Sequence, residues 1–189
     1  MIDSSSASGR VQFLIIAAVF FGPLLAAAWL YYRGDALQPD ERANHGALLE
    51  PIINLHDVVP GSAISDNSTW LLLYANDGVC GDTCRNALYT VRQSRLMLGK
   101  EMDRVERVFL HGAQAPDTLL ITDEHKGLIT LQDAALRAVL DNKKPGALDA
   151  DGYYLIDPHG NLVLYFSPEI NPRDMVDDIK RLLKLSRIG

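Results

Sequence analysis

Two cysteines, Cys80 and Cys84, are the only thiols in this 189-residue chain, and they stand four apart in "VCGDTC". Three chemistries fit such a pair. It can be a disulfide staple, a thiol–disulfide redox centre, or two soft ligands of a metal site. A staple over so short a loop removes little entropy from the unfolded chain, so thiol or thiolate–metal chemistry is the stronger reading. The other soft ligands are scattered. His45, His56, His111, His125 and His159 include no pair at i, i+3 or i, i+4, so no all-histidine cluster is visible. There is no phosphate-binding glycine loop, and spacing alone supports no Ser-His-Asp constellation. The formal net charge of -6 gives no sign of a nucleic-acid partner.

The elements around the pair decide what it can do. "TWLLLYA" (69–75) is a continuous apolar run and reads as a buried strand. After the loop "NDGVCGD", residues 83–98 show helical spacing, with Cys84, Ala87, Leu88, Val91 and Leu98 on one face and Gly99 as a stop. Cys84 therefore falls in a first helical turn, where N–H donors and the helix dipole favour a thiolate. Asp82 is placed to cap that helix, and its charge opposes thiolate formation. Cys80 lies in the loop, where it is the more accessible attacking thiol, and Cys84 is the resolving one. Arg85 reads as a solvated helix charge that could support a thiolate.

Further along, 104–111 reads as a second strand and 117–122 as a short strand or turn. Residues 130–140 read as a helix with Leu131, Ala134, Ala135, Ala138 and Val139 inward. "GYYLID" and "LVLYF" flank "PHGN" and should form an antiparallel hairpin. The final helix has Asn171 as N-cap and Pro172 at N1, with Val176, Ile179, Leu182 and Leu183 as its buried stripe. The order β, α, β, α, hairpin, α is that of the thioredoxin fold: an α/β domain with a central mixed sheet flanked by helices. The cysteines fall between its first core strand and the following helix.

The amino terminus is different. Residues 1–10 form a short Ser-rich tail, and 11–32 run 22 residues without a charge. A helix of that length crosses a hydrocarbon core of roughly 30 Å. Trp29, Tyr31 and Tyr32 suit the interface, and a membrane helix tolerates Pro23. The segment reads as an uncleaved anchor, the alternative being a signal sequence cut near Ala26–Ala28. Arg10 argues for an inside amino terminus, and Arg33 argues against it. Residues 33–49 read as a spacer and 50–189 as the domain, which then sits on the outer face of a bacterial inner membrane, where a disulfide can form.

The stretch "WLLLYANDGVCGDTCRNALYTVRQSRLMLGKEMDRVERVFL" resembles the SCO/SenC family, as does "YYLIDPHGNLVLYF", over roughly residues 65–185. "RQSRLMLGKEMDRVERV" and the "RLLKLSRIG" tail are similar to the small SCO-like membrane proteins associated with cytochrome oxidase genes in proteobacteria. The resemblance implies a membrane-anchored, thioredoxin-fold protein that assists cytochrome c oxidase assembly. Its implied partners are the lipid bilayer and an oxidase subunit or copper carrier protein, and copper is its implied metal. In that family two cysteines and a histidine hold the copper. The histidine position falls on Asp149 here, and a hard oxygen suits Cu(I) poorly. The cis-proline of thioredoxins aligns with Gly152, and the proline that follows the second cysteine in many SCO proteins is Arg85. The resemblance thus implies thiol–disulfide exchange or docking through Cys80 and Cys84. Copper delivery from an incomplete site, or a structural disulfide in an assembly factor, are the alternatives. His111, at the end of its strand, and His125, in a loop, are the candidate substitutes for the missing ligand.

Overall fold

The computed structural model describes residues 5–32, 44–65, 68–143 and 151–186. It divides into two units, Met1–Arg42 and Ala43–Gly189.

The described residues of the first unit form the helix α1 (Ser5–Tyr32), with Pro23 inside it. Its segment Gly9–Trp29 has a mean hydropathy of 2.3 and is long and apolar enough to cross a membrane. Phe13, Val19, Phe20, Phe21, Leu24 and Leu25 are all exposed, as the side chains of a lipid-facing helix are.

The second unit is a six-stranded sheet. Its strands are β1 (Ala47–Asn54), β2 (Trp70–Asn76), β3 (Val105–His111), β4 (Leu128–Leu131), β5 (Gly152–Ile156) and β6 (Asn161–Phe166). Their spatial order is β1-β6-β5-β2-β3-β4. β2, β3 and β4 run parallel, while β5, β6 and β1 add antiparallel neighbours. The sheet is therefore mixed, as the element order implied. β2 lies in the middle, with Trp70 to Ala75 all buried. That explains an uninterrupted apolar run in place of alternation.

Each face has its own core. On one face α3 (Asp82–Met97) and α5 (Pro172–Leu185) cover Leu72, Tyr74, Phe109 and Tyr153 with Ala87, Leu88, Val91, Met175, Val176 and Ile179. On the other, α4 (Ala134–Lys143) and residues 55–64, which begin with the short turn α2 (Leu55–Val58), cover Leu71, Leu73, Val108 and Leu110. Asn171 caps α5, its side chain accepting from Arg173 N at 3.0 Å with Pro172 following. The β5–β6 turn is tied by Asp157, whose carboxylate accepts from His159 N and Asn161 N. Gly160 supplies the positive φ of 76° that closes the turn.

Several elements differ from expectation. β1 starts at Ala47, inside the stretch read as spacer. It is an edge strand with Pro51 inside it and a register shift between Leu48 and Ile53, so it lacks a clean period. Residues 120–124 form a π-helical turn. Thr130 and Leu131 belong to β4, and α4 begins only at Ala134. Its inward residues are Leu136 and Leu140, whereas Ala134, Ala135 and Ala138 are exposed and Leu131 and Val139 half-buried. Alanines satisfy either face of a helix, and the bulkier leucines took the core.

Candidate functional site

The sheet places the cysteine loop at the carboxyl ends of the parallel strands. β2 ends at Asn76, directly beside His111 at the end of β3. The two following loops touch: Gly112 N donates to Asn76 O at 3.2 Å. A Cβ at Gly112 would collide with the Asp77 carbonyl, so only glycine lets the chains pass so closely. The start of the cysteine loop is thus pinned to the neighbouring strand.

α3 begins at Asp82. Its cap is the extended Gly81, with no side-chain hydrogen bond, and so the capping role read for Asp82 is corrected. Arg85 N reaches Gly81 O at 2.9 Å, closing the first turn. Cys80 and Cys84 are joined as a disulfide across a Cα separation of 4.9 Å. Cys84 is 2% exposed and packs in the core with Ala87 and Leu88, while Cys80 is half-buried against the same core. Val79, next to Cys80, is 73% exposed. The outer sulfur is thus the approachable one, and an apolar side chain stands beside it.

Below the loop lies a polar network that the sequence did not reveal. Asn76 Nδ2 donates to Asp151 Oδ2 at 3.1 Å and contacts the Tyr74 hydroxyl at 3.4 Å. Asp151 Oδ1 pairs with Arg137 at 3.2 Å, and Arg137 also holds Asp141 at 3.1 Å. Burial opposes the charge on Arg137, but the hydrogen bonds and charges of Asp141 and Asp151 outweigh it and raise its pKa. Burial, then the Asp151 carboxylate, pushes Tyr74 up to about 12. Tyr74 stacks on Phe109 and leans on Tyr153, with ring centroids at 5.7 Å and 5.4 Å. These partners lie 75 and 14 residues apart, so no local spacing could have signalled them.

Asp149 lies outside the described residues. Gly152, the counterpart of the thioredoxin cis-proline, starts β5 opposite Ala75. A Cβ there would stand 2.5 Å from Tyr165 Cε2, a ring held edge-on to Tyr154. Its glycine identity is set by that ring. Arg85 is exposed, as read.

The two candidate histidines separate. His111 stands at the cysteine end, its Nδ1 engaged with Gly112 O at 2.8 Å and its ring 5.8 Å from Phe109. His125 precedes β4 and so lies at the opposite end of the parallel strands, which removes it as a third ligand to a metal held by the two cysteines. His159 is in the β5–β6 turn, also at that far end. Among the described residues no group of three His, Cys, Asp or Glu side chains is arranged to hold a metal ion. The described donors at the cysteine loop do not complete a three-ligand copper site.

Comparison with known families gives two matches. Residues 70–186 match the transmembrane-like, thioredoxin-like, C-terminal domain, and residues 5–34 match the transmembrane-like, N-terminal domain. The chain belongs to this transmembrane-like thioredoxin-like family. As in its family description, an apolar N-terminal helix precedes a thioredoxin-like domain, consistent with a single-pass anchor. A search of curated proteins finds no match. Among solved structures, the family member is similar to apo Sco1 from Thermus thermophilus, with 16% identity over 78% of this chain and 99% of that one and a TM-score of 0.50. It is also similar to yeast Sco1 with copper bound, with 19% identity over 65% and 82% and a TM-score of 0.51. These neighbours bear out the SCO resemblance and, at such identities, establish a shared fold.

Proposed function

We propose that this protein is a membrane-anchored, SCO-like factor that assists cytochrome c oxidase assembly through thiol–disulfide exchange, or docking, at Cys80 and Cys84. The domain would face the periplasm from a single helix in a bacterial inner membrane. The observation that carries the reading is the asymmetry of the pair: a half-buried Cys80 in the loop, beside exposed Val79, and a core-buried Cys84 at the helix start.

The exchange balances simply. In the reduced protein the Cys80 thiolate attacks a disulfide on an oxidase subunit or copper carrier. One partner sulfur leaves as a thiolate, and the other is held in a mixed disulfide with Cys80. The Cys84 thiolate then attacks Cys80 Sγ and releases the second partner thiolate. The partner gains two electrons and two protons, and Cys80–Cys84 becomes the disulfide. A dithiol reductant returns it to the start. The N–H groups of the first α3 turn favour the Cys84 thiolate. The turn bonds Gly81 N to Val79 O and Arg85 N to Gly81 O fold the loop around the cysteines, whose Cα atoms lie 4.9 Å apart.

Copper is the cargo of the alternative reading, supported by the fold shared with yeast Sco1 that has copper bound. Reduced Cys80 and Cys84 supply two soft donors, and no third is arranged beside them among the described residues. No copper step is therefore derived. Oxidase assembly in cells carrying Cys80→Ser or Cys84→Ser tests the proposal. Loss in either variant is expected, and full assembly in both would end the cysteine mechanism.

A further inference from the structure

The far end of the parallel strands carries a second arrangement, independent of the cysteine chemistry. Arg107 lies on the α3 face of β3 between Val105 and Phe109, and is only 6% exposed. Its Nη2 donates to the Lys126 carbonyl at 2.6 Å, while its Nη1 is buried without a partner. A cavity of about 340 Å³ opens there. It is lined by Arg92 and Arg95 from α3, Arg107 from β3, and Asp123, Glu124 and Lys126 from the turn before β4. Four cations thus face two carboxylates, in a chain whose formal charge is -6. Among the described residues neither Arg92 nor Arg107 forms an ion pair.

A guanidinium stays charged even when buried, and leaving one of its donors dry and unpaired is costly. Burial first, and then the positive charges of Arg95 and Arg92, depress the Arg107 pKa, and Arg95 is itself paired with Asp103 at 3.4 Å on its outer side. His125, 3% exposed at the end of the same turn, also has an unpartnered Nδ1. A small anion seated on Arg107 Nη1 would supply the missing acceptor and offset the clustered charge. One carboxylate is matched by a single guanidinium fork. Cations converging from three elements match a tetrahedral dianion better. A cavity of this volume also has room for a small ester.

We propose that the Arg92–Arg95–Arg107–Lys126 cavity binds a soluble phosphate-class oxyanion, either inorganic phosphate or a small phosphate monoester. Arg92 and Arg95 lie about 12 and 16 Å along α3 from Cys84, from the 1.5 Å rise per residue, so occupancy of the site and cysteine exchange can be assayed separately.

The test is calorimetric titration of the detergent-solubilised full chain with inorganic phosphate at constant ionic strength, with acetate as the comparison anion. Saturable phosphate binding is expected, weakened about tenfold by Arg92→Ala and abolished by Arg107→Met, with Lys180→Ala as an unaffected control. Arg92 is exposed, so Arg92→Ala decides the matter should Arg107→Met fail to fold. Absence of saturable binding would overturn the proposal. So would binding that ignores Arg92→Ala, or acetate binding as tightly as phosphate.

Discussion

Reduction of the Cys80–Cys84 disulfide separates an exchange centre from a structural staple by size alone. The bridged cysteines are four residues apart in sequence. Loop-closure entropy for so small a ring amounts to about 7 cal/mol/K, or about 2 kcal/mol at 25 °C. The folded unit Ala43–Gly189 carries about 0.3 kcal/mol/K of unfolding entropy by the usual per-residue average. Reduction should therefore lower Tm by about 6–7 °C and leave the domain folded. Differential scanning calorimetry of the full chain, with and without a dithiol reductant, reads this directly. Cys80→Ala should come close to the reduced value, because Cys80 is only half-buried at the edge of the core. Cys84→Ala should fall further, by about 1 kcal/mol or more, because it also empties a core position that is 2% exposed. A loss above about 15 °C, or unfolding on reduction, would make the pair a staple. No change at all would refute the entropic reasoning.

Other substitutions test the surroundings. Gly152→Ala places a Cβ 2.5 Å from the buried Tyr165 ring, and should cost about 1–3 kcal/mol in urea unfolding. Asp151→Ala removes the carboxylate beside Tyr74 and should lower its spectroscopic titration midpoint from about 12. It should also destabilise the domain by about 1–2 kcal/mol, since Arg137 and Asn76 lose an acceptor. His125 has a pKa depressed by burial, then by Arg107, so the unfolded chain binds its proton first. Its contribution is intact above the ordinary histidine value of 6.5 and is lost as pH falls below that towards the folded value. Denaturation curves should therefore show a steeper acid loss in the wild type than in His125→Gln, by up to about 1.4 kcal/mol per pH unit. Reduced wild-type protein, with two cysteine donors and no third arranged beside them among the described residues, should lose Cu(I) to a competing chelator, and retention would reveal a ligand beyond Cys80 and Cys84.

The parts of the fold that could be read in advance are those that local rules dictate. A strand buried on both faces must be apolar throughout, and Trp70–Ala75 is. A hairpin turn needs residues like Asp157 and Gly160, and a helix start needs a residue like Asn171. The placement of Cys84 on the inward face of α3 follows from the same periodicity. What stayed hidden depends on distant partners. β1 is ordered by pairing with β6 at the opposite end of the domain sequence, so Pro51 and a broken period disguise it. The buried face of α4 is not legible from its sequence, because alanines carry little directional preference. The link from Asn76 through Asp151 to Arg137 is made only when β5 returns beside β2. Arg107 is buried under α3 beside Arg92 and Arg95, and nothing in "RVERVFL" separates it from half-buried Arg104, which pairs with Glu101 just before the strand.

The central claim is that Cys80 exchanges with a partner disulfide while Cys84 resolves. The most direct measurement is trapping in native membranes with Cys84→Ser, read on non-reducing gels. The account predicts a reductant-sensitive mixed disulfide through Cys80, absent in both Cys80→Ser and the double variant. An adduct that persists in Cys80→Ser, or no adduct in Cys84→Ser cells that still assemble oxidase, would contradict it.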